Sequence, residues 1–343
     1  MASVEITSGQ FIPGTTADLE SQIQTAEIAL GIVTPGQRLR EAVLLVDRYY
    51  LDAAAVTDPK NINPERALGH AEWLGHLAAR RLTQEYGDQP LTLDFILAVH
   101  RAYVEPIAPG RAGTLLATGW YWFKGVPRDE MESGPGYHEP LTSRQVDVVQ
   151  ANPYLRFEPD VNSKAPNGGT VVFPNMTLKE RVAALNGLCS WYNHKKKNLT
   201  YDRVLLAAQL ERRGISIHAL DSGVNGRPWR ALMNWSLENA GLPPSAPVDF
   251  DNDILSTLSK WRSQVSEGMN EYARMGKLIV AGEVETATLL GQEQQKRFYE
   301  EVLCHRVGPP PSLTPGTYHD RAAYMDFATS VSVEWHVVEA QTS

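Results

Sequence analysis

The stretch His218-Ala-Leu-Asp-Ser-Gly-Val-Asn-Gly-Arg-Pro-Trp-Arg230 gathers two glycines, an asparagine, two arginines, one acid and one histidine between two segments of helical period. Glycine lets a backbone come close to an anion, and a helix that starts just after it points N–H groups and the positive end of its dipole at that anion. Arg227 and Arg230 are three apart, so one helical turn sets both guanidiniums near the same helix end. His218 adds a group that titrates near neutrality and suits removal of a hydroxyl proton. The expected roles are phosphate or nucleotide binding for Gly223, Asn225, Gly226, Arg227 and Arg230, and general base for His218. Pairing with acids on neighbouring helices is the alternative for the two arginines. Asp221, the only acid in the stretch, has two readings: a hard oxygen ligand for Mg²⁺ beside phosphate oxygens, or a turn residue at the helix entry.

Outward from this stretch, apolar residues at three- and four-residue spacing predict helices over 177–193, 201–213 and from 227 or 228 to 240, the last stopped by Gly241-Leu-Pro-Pro. Further upstream the same period predicts helices over 16–34 and 36–56, parted by Thr34-Pro-Gly36, then over 64–86 and 92–103. Downstream, 252–276 and 280–305 read as helices before Pro309-Pro-Pro311, and the β-branched run 328–339 fits a strand. Between 106 and 174 Gly and Pro are frequent and aromatic residues cluster in Trp120-Tyr-Trp-Phe123, while Thr170-Val-Val-Phe173 fits a short strand or hairpin. The expectation is an ordered, irregular insert beside a binding cleft.

A formal charge of −8 and a pI near 5.6 exclude a surface built throughout for nucleic acid. Local basic spots are Lys195-Lys196-Lys197, read as a solvated turn, and Arg212-Arg213. Cys189 and Cys304 have no further thiol at metal-ligand spacing, so neither a zinc site nor a disulfide framework is expected. His70, Glu72 and His76 lack the His-Glu-x-x-His pattern and a cysteine pair, and are read as a solvated helix face. The N-terminal residues show no basic and apolar leader, and no stretch has the length of a membrane span. A cytoplasmic protein with neither nucleic acid nor membrane as partner is expected.

His218 and the run Asn225-Gly-Arg227 with Arg230 resemble the two ends of the Fic family motif, His-x-Phe-x-Asp/Glu-Gly-Asn-Gly-Arg-x-x-Arg, which lies between two helices; Ser190-Trp191-Tyr192-Asn193 resembles the approach to it. The stretch is one residue longer than the motif, with Val224 extra, its acid out of place, and Ala219-Leu220 where the family has Pro-Phe. The resemblance implies a mainly α fold. A Fic-like core over 90–245, including the insert 106–174, would carry a short β-hairpin flap, with helical extensions over 1–89 and 246–343. It also implies a nucleotidyl transferase that moves AMP or a related phosphate-containing group from ATP or another nucleotide, with Mg²⁺, to a hydroxyl of a protein or small molecule. Different phosphate-linked chemistry, or a degenerate member that binds nucleotide or protein without turnover, are the alternatives. Thr170, Val171, Val172 and Phe173 would form the flap, an edge strand that aligns the acceptor's backbone. Thr16-x-x-x-Glu20 and Ser330-x-x-x-Glu334 are loose matches to the family's inhibitory pattern.

Overall fold

The computed structural model describes residues 16–33, 37, 41, 44, 64–106, 108–116, 119, 121–124, 140–161, 163, 165–221, 225–245 and 252–280. In chain order these form α1 (Thr16–Ala29), α2 (Pro64–Tyr86), α3 (Leu93–Val104), β1 (Tyr121–Lys124), α4 (Ser143–Gln150), β2 (Arg156–Pro159), β3 (Gly169–Val172), α5 (Leu178–Lys196), α6 (Arg203–Ile217), α7 (Gly226–Glu238), α8 (Asn252–Leu255) and α9 (Leu258–Val280). The fold is mainly α with a small antiparallel sheet, as expected.

Local chemistry accounts for the helix ends. Thr92 caps α3 through the Phe95 N–H, and Asp202 caps α6 through the N–H groups of Val204 and Leu205 at 2.9 and 3.0 Å. Thr177 and Glu180 form a capping box at the start of α5. That helix closes on His194, Lys195 and Lys196, cations at the negative end of the dipole. Lys196 pairs with Asp88 at 2.5 Å and lies over Trp235, while Lys195 lies over Tyr201. The basic run is therefore the end of a helix packed on aromatic rings, not a solvated turn. Arg212 is likewise structural, giving hydrogen bonds to the carbonyls of Asp253 and Ser256 that seat α8.

α7 is the axis of the molecule: every residue from Arg227 to Leu237 is buried. α6 packs along it, and α2 and α3 cover other faces. A helix buried all round must satisfy its polar groups inside. Ser236 bonds the Tyr192 hydroxyl, Asn234 accepts from the Ser245 N–H, and Trp235 donates to the Gly87 carbonyl at 2.7 Å. α9 completes the far side of α6 through an apolar cluster of Ala207, Ala208, Met233, Leu237, Trp261, Val265 and Met269.

Three expectations change. Helix 252–276 breaks at Ser256-Thr257 into α8 and α9. The insert contains a regular helix, α4, with its own Thr142/Gln145 capping box. β3 is the central strand, in order β1-β3-β2, with Val171 facing Trp122 on one side and Phe157 on the other. A hairpin, β2–β3, is present, but Thr170, Val171 and Val172 are not an edge: both ladders of their backbone are occupied, so they cannot recruit a partner strand. The helix expected over 36–56, apart from 37, 41 and 44, and the elements expected over 280–305 and 328–339 lie outside the described residues, as do the Glu20 side chain, Ser330 and Glu334.

The tightest constraint is between α6 and α7. A Cβ on Gly214 would run into the indole of Trp229, which is fully buried. Gly214→Ala should therefore cost about 1–3 kcal/mol by overpacking, measured by urea unfolding. An unchanged midpoint would show that the two helices do not depend on this approach.

Candidate functional site

α6 ends at His218, whose φ of 49° and ψ of 51° place it in the left-handed region. Glycine usually takes this helix-ending position, and histidine is among the side chains that tolerate it. Its N–H still bonds the carbonyls of Gly214 and Ile215, so the chain turns sharply and leaves the imidazole at the α6–α7 junction. Arg181, fully buried on α5, donates to the His218 carbonyl at 2.8 Å and to that of Pro174 at 3.4 Å. Phe173, the residue after β3, packs its ring 4.4 Å from the imidazole. One expected flap residue thus reaches His218, through its side chain and not its backbone.

The residues after His218 are held by the segment that follows α3. Leu115 and Leu220 form an antiparallel bridge, Leu116 donates to the Ala219 carbonyl at 2.8 Å, and Asp221 donates to that of Thr114 at 3.2 Å. His100, fully buried on α3, accepts from the Gly113 N–H with Nδ1, so its proton sits on Nε2, which donates to the Asp221 carbonyl at 2.9 Å. Burial favours its neutral form, opposed by its bond to the Asp221 backbone. One imidazole therefore ties two loops that are distant in sequence. The Asp221 carboxylate lies 3.5 Å from the Arg111 guanidinium and accepts from the Thr114 hydroxyl at 3.4 Å.

On the other side of the loop, Asn225 is buried and joins its ends. Its Nδ2 lies 3.2 Å from His218 Nδ1 and 3.4 Å from the Ile215 carbonyl, and its Oδ1 accepts from the Leu220 N–H at 3.4 Å. Gly226 opens α7, and no described atom lies within 4 Å of where its Cβ would stand. Arg227 and Arg230 are both buried in the first turns of α7. Arg230 Nε is 3.6 Å from Glu211 on α6, which realises the alternative reading in which a loop arginine pairs with a neighbouring acid. Ser222, Gly223 and Val224 lie outside the described residues. The structure thus joins His218 to Asn225 and Phe173, and Gly226, Arg227 and Arg230 follow Asn225 in the first turns of α7, where the arginine charges act on Tyr103 and, for Arg227, on His76.

Burial, reinforced by the charge of Arg181, holds the His218 imidazole down to about 3; a hydrogen bond from the ring to the Ile215 carbonyl works the other way. The ring is neutral at physiological pH, the form a proton acceptor requires. A second polar network lies behind the arginines. His76 is buried, bonded to the Tyr103 hydroxyl at 3.0 Å and to Glu41 at 2.9 Å, so it belongs to no solvated face. Glu41 also pairs with Arg80 at 2.6 Å, and Arg80 grips Glu238 through two nitrogens at 2.7 and 2.9 Å. Burial alone would raise the Glu41 carboxyl, but Arg80 and His76 bring it down to about 2. Sequence reasoning missed Arg181, His100, Glu211 and this network. The available signal was a polar side chain on an apolar helical stripe, as Arg181 is with Leu185, Leu188 and Tyr192.

No family model matches the chain. A stretch of 79 residues is 37% identical to a protein of Xanthomonas campestris pv. campestris named uridine 5′-monophosphate transferase; it spans 22% of this chain and 14% of that protein. Fic-1 of C. elegans is similar in structure at a TM-score of 0.43 and 17% identity, over 78% of this chain and 70% of that one. A Fic domain-containing signaling protein of Bacteroides thetaiotaomicron is similar at 0.42 and 16%, over 77% and 98% of the two chains. A Fic family protein of Desulfovibrio desulfuricans is similar at 0.37 and 14%, over 85% and 72%.

Buried neutral histidines make stability fall with acid. Below the ordinary imidazole value of 6.5 the unfolded chain takes up protons that folded His218, His76 and His100 refuse, so stability is lost as pH falls through 6.5 and on toward about 3 for His218. Glu211, raised by burial to about 7 against the pull of Arg230, works in the opposite sense between 7 and 4.5. The discriminating measurement is therefore a difference. His218→Asn, which keeps a side chain tolerant of the left-handed turn, should lose less melting temperature than wild type between pH 7 and pH 5. Equal losses would contradict a buried, neutral His218.

Proposed function

We propose that this chain is a Fic-type nucleotidyl transferase that moves a nucleoside monophosphate from a nucleoside triphosphate to a hydroxyl group. The observation that carries the reading is the joining of the His218 imidazole to Asn225 at 3.2 Å, at the mouth of a helix whose first turns hold Arg227 and Arg230. The name of the Xanthomonas relative puts UMP beside AMP as the group to test.

In this reading the triphosphate docks against the N-terminus of α7, beside Gly226, where helix N–H groups and two guanidiniums meet negative charge. The acceptor hydroxyl attacks the α-phosphorus in line as Nε2 of the His218 imidazole takes its proton, in the tautomer that keeps the ring hydrogen on Nδ1 and gives it to the Ile215 carbonyl; the bond to the β-phosphate oxygen breaks and pyrophosphate leaves. Docked phosphate beside the ring raises the imidazole's proton affinity above that of the free protein, which improves it as a base. Arg181 and Phe173 fix where the ring stands. A protein hydroxyl is the acceptor the reading favours.

Asp221 offers the loop's hard anionic oxygen, and Mg²⁺ characteristically binds one or two carboxylates together with phosphate oxygens. Among the described residues no group of three His, Cys, Asp or Glu side chains stands ready to hold an ion. The donor set fits Mg²⁺ only as Asp221 plus phosphate, with Arg111 giving way. An ion so held would neutralise charge on the phosphates. The hold of Arg111 and Thr114 on Asp221 favours one second reading, nucleotide binding without turnover.

Incubation with α-labelled UTP or ATP, Mg²⁺ and cell extract tests the proposal. Label should appear on protein, and His218→Ala should reduce it by about 10²-fold or more. Pyrophosphate release without labelled protein would assign a small-molecule acceptor, and bound nucleotide with neither product would leave the binding-only reading standing. Labelling by His218→Ala at the wild-type rate would overturn the assignment of the base. In titrations with UTP, Asp221→Ala should lose whatever enhancement Mg²⁺ gives; an undiminished enhancement would remove Asp221 as the ligand.

A further inference from the structure

We infer that Glu211 is a positioning residue for the phosphate site: its carboxylate, inside the α6–α7 interface, sets the direction of the Arg230 guanidinium. The inference rests on the proposed nucleotide site and adds a residue that lies outside the motif.

The placement of this carboxylate has no packing reason. Glu211 is fully buried on α6, beside Leu206, Ala207, Ala208 and Leu210, which are also buried. An apolar side chain of similar size would avoid the desolvation of an ionisable group, and burial does push the Glu211 carboxyl up to about 7 against the charge of Arg230. What the acid does have is a specific partner. Its Oε1 stands 3.6 Å from Nε of Arg230, an ion pair longer than a hydrogen bond, and the Arg230 side chain is also buried. A second group faces it from α9, the indole N–H of Trp261, beyond ordinary hydrogen-bond length.

The edge that Glu211 engages matters. A guanidinium is a rigid planar fork, and a carboxylate at Nε orients the whole plane while standing apart from the Nη1/Nη2 edge, which can grip phosphate with two parallel bonds. Arg230 begins the second turn of α7, and its long stem would otherwise sample several rotamers. Holding Nε against α6 limits them and lowers the entropy lost on binding an anion. Trp261 places α9 beside the same carboxylate.

The test is calorimetric titration of folded full-length protein with inorganic pyrophosphate and with UTP, alongside circular dichroism and melting temperature. Glu211→Asp keeps the charge but withdraws the carboxylate by one methylene, and Glu211→Ala removes it; both should weaken pyrophosphate and UTP by about tenfold. Glu211→Gln keeps a polar oxygen of the same reach beside Nε and should stay within about threefold of wild type. Should Glu211→Ala fail to fold, Glu211→Asp and Glu211→Gln still decide. Pyrophosphate binding by Glu211→Asp at wild-type affinity, with Arg230→Ala unable to bind, would overturn the inference and leave the site intact. Glu211→Gln as weak as Glu211→Asp would also overturn it, because charge and not direction would then matter. Wild-type protein that binds neither UTP nor pyrophosphate would overturn the site and the inference together.

Discussion

The architecture depends on how closely α6 and α7 approach. Trp229 lays its indole against the bare backbone of Gly214, and the connection between the helices must begin within one turn of that contact. His218 makes this possible by ending α6 in the left-handed conformation, with Arg181 holding its carbonyl and Asn225 meeting its ring. A histidine in a position that glycine usually fills is a local cost of the kind seen where structure serves a site. The surrounding contacts from α3, α5 and the strand exit at Phe173 determine the turn strongly enough to maintain it.

From that junction the electrostatics follow. Cationic Arg181, Arg227 and Arg230 crowd a buried helix start, with Glu211 and the Glu41–His76–Arg80–Glu238 network as the nearby acids and partners. In the proposed reading this guanidinium cluster meets negative charge, and its burial strengthens each interaction an anion would make. The same burial keeps His218 neutral. The proposed transfer of a phosphate-linked group to a hydroxyl uses a neutral imidazole beside a helix start, and both arise here from one packing event.

Much of this was legible in the sequence where the information is local. The helix starts at Pro64, Thr92 and Thr177 and the stop at Gly241 are set by local sequence, and the helices expected over 64–86, 92–103, 177–193, 201–213 and 227–240 lie close to where their period places them. The loop's histidine, asparagine and arginines mark a candidate site because several chemistries converge within a few residues. The capping box of Thr142 and Gln145 is equally local, yet the glycines and prolines around it mask α4 in the sequence. Other features were not legible at all. That β3 lies between two strands depends on β1, far away in sequence; that His76 is buried depends on Tyr103 and Glu41; that Asp221 faces Arg111 depends on the strap after α3. Spacing can mark Arg181 or Glu211 as polar residues on buried stripes, but only the fold supplies their partners.

The central claim is spatial: phosphates at the start of α7, with the α-phosphorus on the His218 side. A crystal structure with a UTP analogue that carries an imido link between its α- and β-phosphates tests it most directly. The account predicts the phosphate chain against Gly226 and the α7 N–H groups, gripped by Arg227 and Arg230, and the α-phosphorus within one acceptor oxygen of the imidazole. Phosphates bound elsewhere, with the Arg227 and Arg230 guanidiniums still directed into the core, would contradict it.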